Sequence, residues 1–183
     1  MPENTLRELY IDELQDLYDA ENQLVKALPK MAKKTESDEL RSGIERHLEP
    51  TKEQVRRIEQ IFEGMGESAK NKKCKGMQGI ISEGNQTLRE GYEGAVRDSA
   101  IIGSARRVEH YETPAYGTVF EFAELLGENQ AVSLLAQSLE EEKETDRRLT
   151  EIAHTINEEA RTSTGTGEEG EATARRRAKT AGA

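Results

Sequence analysis

Residues 102–126, IGSARRVEHYETPAYGTVFEFAELL, place apolar or small side chains at Ile102, Ala105, Tyr116, Val119, Ala123 and Leu126, and set Glu109 and Glu112 in the same register between them. Spacings of three and four keep side chains on one face of a helix, so the predicted helix aims two carboxylates at whatever it packs against. The pattern occurs three more times. One stripe runs Tyr10, Leu14, Leu17, Glu21, Leu24, Leu28, Met31, and another Leu40, Ile44, His47, Thr51, Gln54, Ile58, Ile61, Met65. The last runs Val132, Leu135, Leu139, Glu142, Asp146, Leu149, Ala153, Ile156. Four such stripes predict an all-α bundle. Each is interrupted near its midpoint, and bundled helices bring their midpoints to a common depth, so Glu21, His47, Glu109, Glu112, Glu142 and Asp146 are expected to form one polar layer in the core.

Local signals bound the elements. Thr5 and Glu8 make a capping box that starts a first helix running to about Lys34. Ser37 and Asp38 offer caps for a second helix that ends at Gly64 or Gly66, and Pro50 predicts a bend between His47 and Thr51. Residues 67–75 read as a loop. Met77, Ile80, Ile81, Leu88 and Tyr92 then suggest a shorter helix at about Gly76 to Gly91. Asp98 is expected to cap the third long helix, and Gly127 separates it from a fourth that reaches about Ala160. Residues 1–160 are thus one helical domain. Residues 161–183 hold an acidic patch (Glu168, Glu169, Glu171) and a basic one (Arg175, Arg176, Arg177, Lys179) with almost nothing to bury, and read as a disordered tail.

Composition narrows the function. In 183 residues with a net charge of -10 and 34% charged side chains, the outer faces are acidic, which argues against nucleic acid except at the short basic patch of the tail. No run approaches the roughly 20 apolar residues of a membrane helix, and Met1 to Asn4 lack the marks of a signal peptide, so the cytoplasm is the expected address. The single cysteine, Cys74, excludes an internal disulfide and reads as a loop thiol among Lys72, Lys73 and Lys75, whose charges would lower its pKa if it were exposed. His110 and His154 fall off the stripes and are expected at the surface. CxxC pairs, a GxSxG elbow, an HExxH helix and a Gly-rich phosphate loop after a strand are all missing, which removes the commonest zinc, nucleophile and nucleotide readings.

The polar layer itself suggests chemistry. Carboxylates with an occasional histidine form a hard-donor cage suited to iron or manganese, and two divalent ions balance four acids. Glu109 and Glu112 at i, i+3, and Glu142 and Asp146 at i, i+4, each put two carboxylates side by side, where they repel unless a cation or proton intervenes. The alternative is a hydrogen-bonded network with Arg, Lys, Gln54, Thr51, Tyr10 and Tyr116 that specifies register without any ion.

Several words carry a family resemblance. Glu21 within LYDAENQL, His47 within HLEPT, Cys74 within KKCKGM, VEHYETPAYGT (residues 108–118) and EEEKETDRRL (residues 140–149) resemble the YciE/YciF ferritin-like stress proteins of bacteria, over about Thr5 to Ala153. That resemblance implies a ferritin-like four-helix bundle with an additional shorter helix, a homodimer, a part in stress responses and a dinuclear Fe site, or one of Mn. The wider ferritin-like superfamily offers Glu on the first helix, Glu-x-x-His on the second, Glu on the third and Glu-x-x-His on the fourth. Here Glu21 matches the first and Glu109-His-Tyr-Glu112 the third, but the second reads Thr51-x-x-Gln54 with His47 one turn earlier. The fourth reads Glu142-x-x-Thr145 with Asp146 adjacent. His47 and Asp146 are the natural substitutes as metal ligands, with Thr51, Gln54 and Tyr116 supporting them from behind. For the function of the layer we expect redox chemistry on peroxide or dioxygen or, as the alternative, a non-catalytic structural or interaction protein; iron storage ranks below both.

Overall fold

The capping box forms as read: Thr5 Oγ1 accepts from the Glu8 N–H at 3.2 Å, and the Glu8 carboxylate accepts from the Thr5 N–H at 3.0 Å. The computed structural model describes residues 5–69 and 72–180, with side chains through Ser163. Its elements are α1 (Leu6–Ala32), α2 (Asp38–Met65), α3 (Lys75–Thr87), α4 (Gly94–Leu126) and α5 (Asn129–Thr180). Ser37 caps α2 by accepting from the Leu40 N–H at 3.3 Å, and Gly66 ends it with a left-handed φ of 69°. The helix runs unbroken through Pro50.

Two apolar clusters show how the helices pack. At one end Tyr10, Leu14 and Leu17 of α1 meet Ile58, Ile61 and Phe62 of α2, Val119 and Ala123 of α4, and Leu135 of α5. At the other end Leu28, Leu40, Ile101 and Ile156 pack together. Early α1 therefore lies with late α2, late α4 and early α5, which makes every neighbouring pair antiparallel in the cyclic order α1, α2, α5, α4. Because α2 and α4 run the same way, the chain must travel back along the bundle between them, and α3 occupies that crossover. This is the expected ferritin-like four-helix bundle with an additional shorter helix, and the polar layer lies between the two clusters.

Three local expectations change. Asp98 does not cap α4, which starts four residues earlier; it is buried and accepts from the backbone N–H groups of Glu36 (3.0 Å) and Ser37 (2.6 Å). An α4 carboxylate thus satisfies the turn between α1 and α2. Asp98→Ala leaves both donors unpaired and is expected to cost about 2 kcal/mol, read as a lower urea midpoint at unchanged slope. The α5 helix, expected to stop near Ala160, continues to Thr180, because its stripe reports only the packed part. Ile156 is the last buried residue among the described side chains. The tail beyond Arg161 adds nothing to the core over the part described, and its acidic and basic patches lie beyond the described side chains.

Cys74 is the third change. It is buried at the N-terminus of α3, where its sulfur accepts from the Met77 N–H at 3.3 Å and its own N–H donates to Asp19 at 2.9 Å. The Tyr111 hydroxyl donates to Asp16 at 2.8 Å, which leaves its oxygen to accept from the thiol at 2.9 Å. Gly76 is required beside it, since a Cβ there would lie 2.6 Å from the Tyr111 ring. Burial pushes the Cys74 thiol up, the opposite of what its lysines would do to an exposed group. Native protein should therefore react with a thiol reagent at pH 7 at least about tenfold more slowly than urea-unfolded protein.

Candidate metal centre

Each long helix contributes to the layer from its interior: Glu21 from α1, His47, Thr51 and Gln54 from α2, Glu109, Glu112 and Tyr116 from α4, and Glu142 from the first third of α5. All are buried, His47 least so at 7% exposure. His47, Glu109, Glu112 and Glu142 each bring a ligand atom within 4.8 Å of the others. Glu21 borders this group, with one oxygen accepting from the Tyr116 hydroxyl at 2.5 Å.

The hydrogen-bond inventory of the layer is incomplete. With the acids ionised, Glu21 Oε2, Glu109 Oε2, both oxygens of Glu112, Glu142 Oε2 and His47 Nε2 are buried without a hydrogen-bond partner; a proton shared between Glu21 and Glu112, or between Glu109 and Glu142, supplies one. Such atoms cost roughly 1–3 kcal/mol each when nothing replaces the water they lose, and more when charged. The cluster accordingly holds protons. Burial, reinforced by repulsion from neighbouring carboxylates, keeps Glu21, Glu109 and Glu112 well above the usual carboxylate range. Burial lowers the pKa of His47, which favours the neutral imidazole.

Neutral His47 has an assignable tautomer. The Thr145 hydroxyl donates to the Glu141 carbonyl at 3.0 Å, so towards His47 Nδ1, 3.3 Å away, it acts as acceptor. The ring hydrogen is then on Nδ1, and Nε2 turns a lone pair towards Glu109 Oε1 at 3.5 Å. Two lone pairs at that distance need a cation or a proton between them. Carboxylates with one imidazole make a hard-donor set, and His47, Glu109, Glu112 and Glu142 could hold a metal ion between them.

The surrounding residues hold the donors in place. Gln54 donates to Glu142, and Arg57 makes a two-pronged pair with Glu141 at 2.6 and 2.8 Å while reaching Ser138 at 3.1 Å. This buttress between α2 and α5 was not read from the sequence. Arg57 sits three residues beyond Gln54, beside the stripe, which is the signal that could have found it. Thr51 faces the layer but donates to the His47 carbonyl at 2.8 Å, so its hydroxyl supports the backbone rather than a carboxylate.

Asp146 requires correction. Expected in the layer, its side chain is 25% exposed and turned to α4, where it accepts from Arg106 at 2.9 Å and lies 3.4 Å from His110. Although partial burial pushes its carboxyl upward, the hydrogen bonds and charges of Arg106 and His110 together outweigh that and hold it below the usual range. One helical turn past Glu142, it lies at the edge of the inward face, and a neighbouring guanidinium decides its direction. His110 and His154 are exposed, as expected.

Comparison with known proteins supports the architecture. A family described as a domain of unknown function, DUF892, matches residues 5–161. Protein YciF of Escherichia coli strain K12 is 41% identical over 158 residues, covering 85% of this chain and 95% of that one. The crystal structure of the E. coli stress protein YciF superimposes with a TM-score of 0.82 at 40% identity, over 85% of this chain and 98% of that one. YcfI of Rhodopseudomonas palustris, described as a candidate structural protein, gives a TM-score of 0.78 at 36% identity, over 82% and 97% of the two chains. A Xanthomonas campestris protein shares the fold, with a TM-score of 0.67 at 22% identity over 83% of this chain and 93% of that one. With the family match spanning nearly all of the packed helices and YciF alike in sequence and structure, this chain belongs to the DUF892 family, that of the stress protein YciF.

Proposed function

We propose that the layer binds two divalent ions, iron or manganese, and that the protein uses them in redox chemistry on peroxide or dioxygen during stress. The observation that carries this reading is the set of ligand atoms left unpartnered and buried at the bundle centre. Glu21, His47, Glu109, Glu112 and Glu142 would hold the ions, and four carboxylates match the charge of two divalent cations; Asp146, occupied by Arg106, is set aside. When bound, a pair of ferrous ions supplies two electrons, which with two protons take hydrogen peroxide to two waters or dioxygen to hydrogen peroxide. The chain's own part is positioning. Gln54 and Tyr116 orient the Glu142 and Glu21 carboxylates by donating to them, Thr145 fixes the His47 tautomer, and the apolar clusters on either side exclude water.

A ligand that binds only the folded state must raise the melting temperature. Anaerobic melting with Fe(II) or Mn(II), together with metal content by mass spectrometry, should give an upward shift and about two ions per chain. No shift at saturating metal would overturn the proposal. One observation favours a second reading: neutral Thr51 and Gln54 stand where the superfamily has Glu-x-x-His, and Gln54 hydrogen-bonds Glu142 directly. A protein in which this layer is a structural remnant would keep its fold in chelator and carry no metal when purified with care. The description of YcfI as a candidate structural protein accords with it.

A further inference from the structure

We infer that the apolar cleft between α1, α3 and α4 is the route by which dioxygen reaches the carboxylate layer, an inference that rests on the metal reading above. The cleft holds a cavity of about 40 Å³ and is walled by aliphatic side chains such as Leu28 of α1, Ile81 of α3 and Val108 of α4. Exposed Asn85 stands at its rim, and Glu109 is its single charged lining residue. Glu109 is 2% exposed, belongs to the carboxylate group, and has Oε2 without a partner, so a member of the layer forms part of the cleft wall.

The wall chemistry selects the traveller. An ion, or a molecule that hydrogen-bonds water strongly, loses hydration between aliphatic walls and finds little in return, whereas dioxygen loses none. A reactant that needs polar contacts finds them elsewhere. A second cleft, between α2 and α5, sets Arg46, His47, Thr145 and Arg148 beside apolar Leu149 and Ile152, and meets the layer at His47. The α3 crossover helix thereby acquires a role, since its Ile80 and Ile81, with Leu88 at its C-terminal cap, form the outer wall of the apolar route.

Half-buried Ala27 and Ala100 line the cleft from α1 and α4 and are not among the proposed ligands, so Ala27→Phe and, from the opposite wall, Ala100→Phe are two independent plugs. Crystals pressurised with xenon, an apolar atom of dioxygen-like size, should show a site in the cleft of the wild type that both plugs remove. In anaerobically Fe(II)-loaded protein, the plugs should slow oxidation by dioxygen at least fivefold and change oxidation by hydrogen peroxide less than twofold. Circular dichroism and Fe(II) uptake identify which plug is folded and loaded. An empty cleft under xenon, an undiminished dioxygen rate in a folded plugged variant, or equal slowing with both oxidants overturns the route. Wild-type protein that takes up no Fe(II) overturns the metal reading and the delivery role with it. That failure is distinguished by metal uptake alone.

Discussion

Replacing Glu112 and Glu142 together by Gln should abolish metal-dependent stabilisation while making the metal-free protein more stable. The two effects have opposite signs for one reason. Glu142 Oε2 is buried without a partner and its charge repels Glu21 and Glu109, while Glu112, buried with both oxygens unpartnered, is itself repelled by Glu21, Glu142 and Glu109 in the absence of a cation. Glutamine keeps the volume and removes the charge. In wild-type protein a ligand at one hundred times its dissociation constant contributes about 2.7 kcal/mol, which for a bundle of this size is a rise of roughly 5–10 °C. The double variant should show less than about 1 °C at the same metal concentration, and its peroxide consumption should fall to background. A variant that kept the wild-type shift would place the metal elsewhere.

The metal-free protein should lose stability as pH rises, which reverses the usual behaviour of paired acids. Glu21, Glu109 and Glu112 have folded-state pKa values raised by burial and mutual repulsion, so they keep protons that the unfolded chain has already released. Between the ordinary carboxylate pKa and the raised one the folded state binds more protons, and unfolding free energy falls by about 1.4 kcal/mol per pH unit for each proton retained. His47 opposes this. Its folded pKa is lowered by burial, so from that value up to the ordinary histidine pKa the unfolded state binds more protons and stability rises with pH, offsetting one proton at most. Three acids outweigh it. With a divalent cation present the trend should invert, because the ligands must deprotonate to bind. Urea titrations from about pH 5 to about pH 8, in chelator and in Mn(II), should give diverging curves. A flat or rising stability in chelator would mean that the acids are ionised and satisfied by other means.

The long helices and the depth of the layer were legible because a stripe of spacing three and four records burial directly, and the acids interrupting it were buried with it. What failed depended on contacts between segments far apart in sequence. Asp98 looks like a cap for its own helix, yet two N–H groups from the turn before α2 outbid that role once α4 packs beside it. Cys74 looks like a loop thiol among lysines until the α3 crossover sets it against Tyr111. Asp146 is one helical turn from Glu142, and only the position of Arg106 on the facing helix decides which way it turns. The apolar route past α3 has no sequence signal at all, because its walls come from three helices and most of their residues there are ordinary aliphatics.

Antiparallel packing of every neighbouring pair has an electrostatic consequence for the layer. A helix N-terminus is a common source of positive charge for buried anions, equivalent to about half an elementary charge, but its reach is confined to the first turn. Glu21, Glu109, Glu112 and Glu142 each sit about three turns or more from either end of their helices, and adjacent macrodipoles, pointing in opposite directions, cancel at mid-height. The scaffold therefore supplies these carboxylates with no compensating field of its own. Their charge is left for a diffusible cation, metal ion or proton, to balance, and that dependence makes the centre of the bundle responsive to the composition of the solution around it.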